Sequence, residues 1–153
     1  MSRYVGVVGP ADASDDEVSD AEALGRGLAQ RGHVVVCGGV GGVMAAVARG
    51  AADAGGVVVG LLPGTDRADA DPHVTVAIPT GLGELRNALL VRSSDVVVSV
   101  GGSWGTLSEV ALAVRTGVPV VALRGWSLPS DPGLHAVDTV SKALATVDAL
   151  IHT

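Results

Sequence analysis

At 153 residues with 48% apolar side chains, the chain has the length and composition for one domain to bury a full core. Phenylalanine is absent and only Tyr4, Trp104 and Trp126 are aromatic, so valine, alanine and leucine must fill that core. A net charge of −6 argues against nucleic-acid and anionic-membrane surfaces, and the single cysteine, Cys37, excludes an internal disulfide and a cysteine-based metal cage.

The first strand pattern covers residues 4–8 and follows the N-terminus directly, without the segments of a signal peptide. No apolar run approaches the roughly eighteen residues of a membrane span, so a cytoplasmic protein is expected. Ser14-Asp15-Asp16-Glu17 reads as a capping box opening a helix that ends at Gly32, after Arg31. A strand over 34–37, the glycine run 38–42 and a helix over 43–54 follow, then a strand over 57–62 and a polar loop over 63–72. Further on, strands are expected over 74–77, 96–100 and 118–123, and helices over 82–93, 106–115 and 141–150. Such alternation of short valine-rich runs with helical periodicity predicts an α/β, Rossmann-like three-layer fold. Its central sheet should be mostly parallel, with six or seven strands, in a single domain over 1–153.

In a parallel α/β sheet, ligands bind beyond the carboxyl ends of the strands, where helix N-termini favour anions. Two glycine-rich loops fall at that edge: Gly38-Gly39-Val40-Gly41-Gly42 and Gly101-Gly102-Ser103-Trp104-Gly105-Thr106. Neither is a Walker loop or a dinucleotide fingerprint, and strand one ends in Gly9-Pro10. Each loop alone reads equally well as a tight turn. Two together point to a phosphorylated small molecule, with the second loop gripping the phosphate and the first forming the facing wall.

Two charged residues frame that site. Arg86 lies early in the third helix beside Leu82, Leu85, Leu89 and Leu90, where its charge opposes the helix dipole and an anionic ligand would relieve the conflict. The alternative is an arginine whose stem lies on the apolar stripe with its head in water. Glu109 closes Thr106-Leu107-Ser108-Glu109, a second capping box, and such a position would keep its carboxylate fixed and ionised. Cys37 reads as a small buried residue, and Trp104 as either a stacking platform or a packing contact. His33, His73, His135 and His152 lack metal-ligand spacing and read as surface or loop residues, so no metal site is expected.

The runs Gly38–Ala46, Thr80-Gly81-Leu82-Gly83-Glu84-Leu85-Arg86-Asn87 and Gly101–Glu109, taken together and in order, resemble the LOG-like superfamily, often labelled "possible lysine decarboxylase". The resemblance covers nearly the whole chain. It is closest to the short branch that includes molybdenum-cofactor carrier proteins. LOG enzymes are phosphoribohydrolases that cut the N-glycosidic bond of nucleoside 5′-monophosphates, so the resemblance implies catalytic roles for Arg86 and Glu109. It also implies ligand contacts from Gly9, Gly39, Gly41, Gly42, Met44, Thr80, Gly81 and Asn87, and from Gly101, Gly102, Ser103, Trp104, Gly105 and Thr106. Three departures stand out: Asn87 replaces the family's lysine, Gly101-Gly102-Ser103 its Pro-Gly-Gly, and Ser108-Glu109 its paired glutamates. Lys142 is the sole lysine and falls in the last helix, which gives the decarboxylase label no support. Two functions are expected from these residues. One is hydrolysis of a nucleoside monophosphate, with no cofactor required. The other is non-catalytic carriage or sensing of a molybdenum cofactor, pterin phosphate or nucleotide. The resemblance further implies a homodimer or higher homo-oligomer, with the third and fourth helices in contact.

Overall fold

Strands buried on both faces need apolar side chains at consecutive positions, and the valine runs supply them. The computed structural model describes residues 3–152. It has strands β1 (Tyr4–Val8), β2 (Val34–Cys37), β3 (Val58–Leu62), β4 (Val76–Pro79), β5 (Val96–Val100), β6 (Val120–Leu123) and β7 (Leu134–Val137). All pair in parallel, in the order β4-β3-β2-β1-β5-β6-β7. Helices α1 (Asp15–Gln30), α2 (Val43–Asp53) and α5 (Val140–Ile151) cover one face, and α3 (Arg86–Arg92) and α4 (Trp104–Thr116) the other. This is the expected three-layer Rossmann-like architecture. No described helix is long and apolar enough to cross a membrane.

The departures from the sequence reading are local. β7 was not among the expected runs, because Leu134-His135-Ala136-Val137 is short and lies at an edge where only one neighbour, β6, supports it. β4 begins and ends two residues later than expected, and Pro79 closes it, which an edge strand tolerates because no partner needs its amide. The third helix is interrupted. Gly81 and Gly83 adopt positive φ, so a short 3-10 turn over Gly83–Leu85 precedes α3. His33 is buried rather than superficial, 8% exposed, because the turn at Gly32 tucks it under the C-terminal end of α5 beside Asp148 and Ile151. Burial lowers its pKa, and among the described residues Nδ1 has no hydrogen-bond partner.

With no phenylalanine to span the gap, the core closes by bringing backbones together. α1 and α2 meet at Gly25 and Gly50: a Cβ on Gly25 would strike the Val47 carbonyl, and one on Gly50 the Glu22 carbonyl. Alanine gains about 1 kcal/mol over glycine in helix propensity, whereas forcing backbone apart in a packed core costs about 1–3 kcal/mol or more. Gly50→Ala is therefore expected to lower the thermal midpoint by several degrees, despite the better helix former. An unchanged or raised midpoint in a calorimetric scan would show that the two helices separate freely.

Candidate functional site

The strand order reverses at β1, which sends its chain to β2 on one side while β5 returns on the other. Such a reversal opens a crevice at the carboxyl ends of the strands. Here it leads into a cleft of about 440 Å³, lined by Gly9 and Ala11 after β1, Gly38 and Met44 around the first glycine loop, and Arg86 and Asn87 of α3. Ser103, Gly105 and Glu109 of the α4 region close it, with Val7, Val8, Pro63, Gly83 and Glu84 completing the wall.

Arg86 is half-buried and anchored. Its Nη1 donates to the carbonyls of Gly38, at 3.0 Å, and Leu61, at 2.7 Å, and its Nε donates to Asn87 Oδ1 at 3.0 Å. The carbonyl ends of β2 and β3 thus accept the charge that the dipole of α3 disfavours. Among the described residues no hydrogen bond occupies Nη2, the remaining donor group of a cleft-lining guanidinium.

The two glycine loops end differently. Gly42, at φ 61°, caps α2 without a side-chain bond, and the Pro10 carbonyl accepts from Val43 N at 3.1 Å. The β1–α1 turn therefore plugs that helix N-terminus. In α4 the cap is Ser103, whose Oγ accepts from Thr106 N at 3.2 Å, while among the described residues the amides of Trp104 and Gly105 have no acceptor. Two free amides at the start of a thirteen-residue helix favour an anion. The expected capping box at 106–109 does not form, because Ser103 takes the cap and shifts the helix start by two residues. Glu109 consequently sits in the second turn, away from the terminal amides.

Glu109 is also not held ionised, as the capping reading required. Burial pushes its pKa from 4.5 up to about 7, and the positive charge of Arg86 offsets this only in part. Cys37 is buried beside the first loop, its thiol pushed up to about 11, and its Sγ lies 4.0 Å from the Met44 carbonyl.

The cleft brings together Gly9, Met44, Arg86, Asn87, Ser103, Gly105 and Glu109 of the expected set. Gly101, Gly102 and Thr106 instead surround a small apolar pocket under Trp126, which Ser103 also lines, and Trp104 stands in the adjoining groove between α3 and α4. Gly39, Gly41, Gly42, Thr80 and Gly81 do not line the cleft. Gly39 and Gly81 serve turns at positive φ, and the hydroxyl of Thr80 donates to the Leu62 carbonyl at 2.7 Å. Gly38, the first residue of the glycine loop read as a pocket wall, and Glu84, within the Thr80–Asn87 run, also line the cleft, as does Ala11, which nothing in its type or spacing marks. Trp126 was equally unmarked: it lies beyond the second glycine loop in sequence, and only β6 returns it to Gly102.

The fold and the cleft define a Rossmann-like protein with a cleft at a topological switch. The chain belongs to the SLOG cluster4 family, whose model matches residues 2–150, and the LOG-like resemblance of its motifs is thereby borne out. It is similar in structure to the molybdenum cofactor binding protein from the phototrophic bacterium Rippkaea orientalis, with 34% identity and a TM-score of 0.94 over 99% of this chain and 98% of that one. The Moco carrier protein from Chlamydomonas reinhardtii is 35% identical, with a TM-score of 0.91 over 99% of both chains. An uncharacterized protein of Archaeoglobus fulgidus is 40% identical over 120 residues, 78% of this chain and 79% of its own length.

The raised pKa of Glu109 has a consequence for stability. Between about 4.5 and 7 the folded chain holds more protons at this site than the unfolded chain. Stability contributed by the neutral acid is present below 4.5 and is lost as pH rises through 7. Glu109→Gln should therefore match the parent near pH 4 and exceed it in thermal midpoint at pH 8, by a few degrees. Equal midpoints at pH 8 would place the carboxylate in water.

Proposed function

We propose that this chain binds a molybdenum cofactor, or a pterin phosphate of that kind, in the cleft between Arg86 and Glu109 and carries it unchanged. The observation that carries the reading is that one cleft is lined both by Gly105, whose amide has no acceptor at the start of α4, and by an arginine anchored by two carbonyls. Its support from outside the chain is the near-complete coverage by proteins described as molybdenum cofactor binding or carrying. The fit is chemical. A terminal phosphate suits the amides of Trp104 and Gly105 and the spare donor of Arg86, and about 440 Å³ suits a small organic ligand. Among the described residues no group of three or more His, Cys, Asp or Glu could hold a metal, so recognition falls on the organic part of the cargo.

A carrier needs affinity without preference for a transition state. Arg86→Ala should weaken binding of the cofactor about tenfold or more, as expected for a lost charge-assisted hydrogen bond. Retained pterin fluorescence after anaerobic gel filtration measures it. Binding unaffected by Arg86→Ala and Arg86→Lys would sink the reading.

Glu109 supports a second reading. A carboxyl with a pKa of about 7 beside Arg86 is poised to take or give a proton at neutral pH. In that case water adds across the N-glycosidic bond of a nucleoside 5′-monophosphate, releasing the base and ribose 5-phosphate. Free adenine from AMP, abolished in Glu109→Gln, would establish it; no release at high protein concentration would leave the carrier.

We further infer self-association through α3. Leu82, Leu85 and Leu89 lie on one exposed side of the 3-10 turn and α3, and Leu85 is 74% exposed. Leu85→Glu should shift the mass in light scattering toward the monomer. A mass unchanged by Leu85→Glu would exclude this face.

A further inference from the structure

The chain has two tryptophans and no phenylalanine, and its buried core contains neither tryptophan. Both indoles stand instead at the rim of the turn that starts α4. Trp104 is the first residue of α4 and is 79% exposed. Trp126 comes from the segment between β6 and β7 and lies over Gly102, where a Cβ would come within 2.5 Å of Cδ1 and 2.6 Å of Nε1. The two rings meet edge to face, with centroids 5.0 Å apart and planes at 79°.

Trp126 has a local purpose. It seals the apolar pocket against Ser99, Val110 and Leu128, and its loop leaves β6 through Arg124, held at φ 54° with Nε 3.2 Å from Asp20. A left-handed conformation is unfavourable for a residue with a side chain, so its departure is fixed by the surrounding contacts. Trp104 has no such purpose within the chain: braced by Trp126, it leaves most of its surface in water.

Gly105 adds a second, independent observation. It sits inside α4 without positive φ, and a Cβ there would meet only Ser103 Oγ, at 3.9 Å. Packing does not ask for glycine, and glycine is a poor helix former. Its missing side chain opens a passage instead. Glu84, Asn87 and Gly105 line both the Arg86–Glu109 cleft and the groove of about 610 Å³ in which Trp104 stands.

We propose that Trp104 is the platform for a flat heteroaromatic ring. A ligand anchored by its phosphate in the cleft passes over Gly105 and stacks its ring on Trp104, with Trp126 bracing the indole from the side. The ligand class is a phosphorylated bicyclic or tricyclic heteroaromatic, as against a sugar phosphate without an aromatic ring. This inference rests on the anion-binding reading of the cleft.

The test compares probes with and without a ring by calorimetric titration of the full chain: ribose 5-phosphate on one side, AMP and neopterin monophosphate on the other. Trp104 is exposed, so Trp104→Ala should fold as the parent does. It should weaken AMP or neopterin monophosphate about tenfold, the effect expected of a stacked base, and leave ribose 5-phosphate unchanged. Trp104→Phe should recover most of the loss. The platform is overturned if Trp104→Ala leaves both ring-bearing probes unchanged, weakens ribose 5-phosphate equally, or changes the mass in light scattering, which would make the indole a contact between copies. Arg86→Ala separates the two levels. If it weakens ribose 5-phosphate while Trp104→Ala affects no probe, only the platform falls. If Arg86→Ala has no effect, or no probe binds the parent chain, the cleft reading falls and the platform with it.

Discussion

A single guanidinium joins the parts of this molecule that have to stay in register for the cleft to exist. Arg86 Nη1 donates to carbonyls from the ends of β2 and β3, and its own backbone starts α3. The arrangement resolves three problems at once. It gives the carbonyls of Gly38 and Leu61 a donor, and it offsets the cost of a cation placed at the unfavourable end of a helix. It also fixes the one arginine of the cleft so that its unused donor needs no ordering when a ligand arrives. A lysine could satisfy the carbonyls as a point charge but could not keep a separate, oriented nitrogen in reserve.

The layers of the fold were legible because the sheet is buried on both faces and therefore writes itself as valine runs. β7 and the start of β4 were not, because edge strands obey weaker constraints: β7 has one neighbour, and β4 exposes Val76 and Ile78 to solvent. The α4 start misled for a related reason. Thr106 and Glu109 carry a valid capping pattern, yet Ser103 carries one too, and the tertiary position of β5 decides between them. Local sequence proposes caps; the strand that feeds the helix selects one.

Glycine was the least transparent signal. Counting glycines at the ligand edge gave two similar loops, but their reasons differ residue by residue. A Cβ on Gly38 would collide with Met44 and the Arg86 guanidinium, one on Gly101 with Glu17, and one on Gly102 with Trp126. Those glycines are demanded by neighbours within the chain. Gly105 alone among the glycines of the second loop faces open space without positive φ. Such distinctions depend on which side chains return from distant parts of the chain, and no motif spacing encodes them. Arg86 was legible as a cleft residue because its charge sits in an apolar helical context, whereas Glu109 was singled out by a capping box that does not form and by the family motif.

Glu109 separates carriage from catalysis more sharply than the fold does. Desolvation makes the half-buried Glu109 carboxyl costly to ionise, and the charge of Arg86, whose Nη1 is engaged by two backbone carbonyls, offsets this only in part, leaving the acid with a pKa of about 7. For an enzyme that value is a proton reservoir. For a carrier of an anionic cargo it serves a different purpose: a neutral acid removes the repulsion that a carboxylate would exert on the incoming phosphate. A carrier built this way binds more tightly as pH falls through 7, because protonation of Glu109 and arrival of the anion favour each other. A hydrolase that uses Glu109 as a base loses activity over the same interval. Where Glu109 acts as a base, one residue thus makes the two proposed functions respond in opposite directions to the same change in proton concentration.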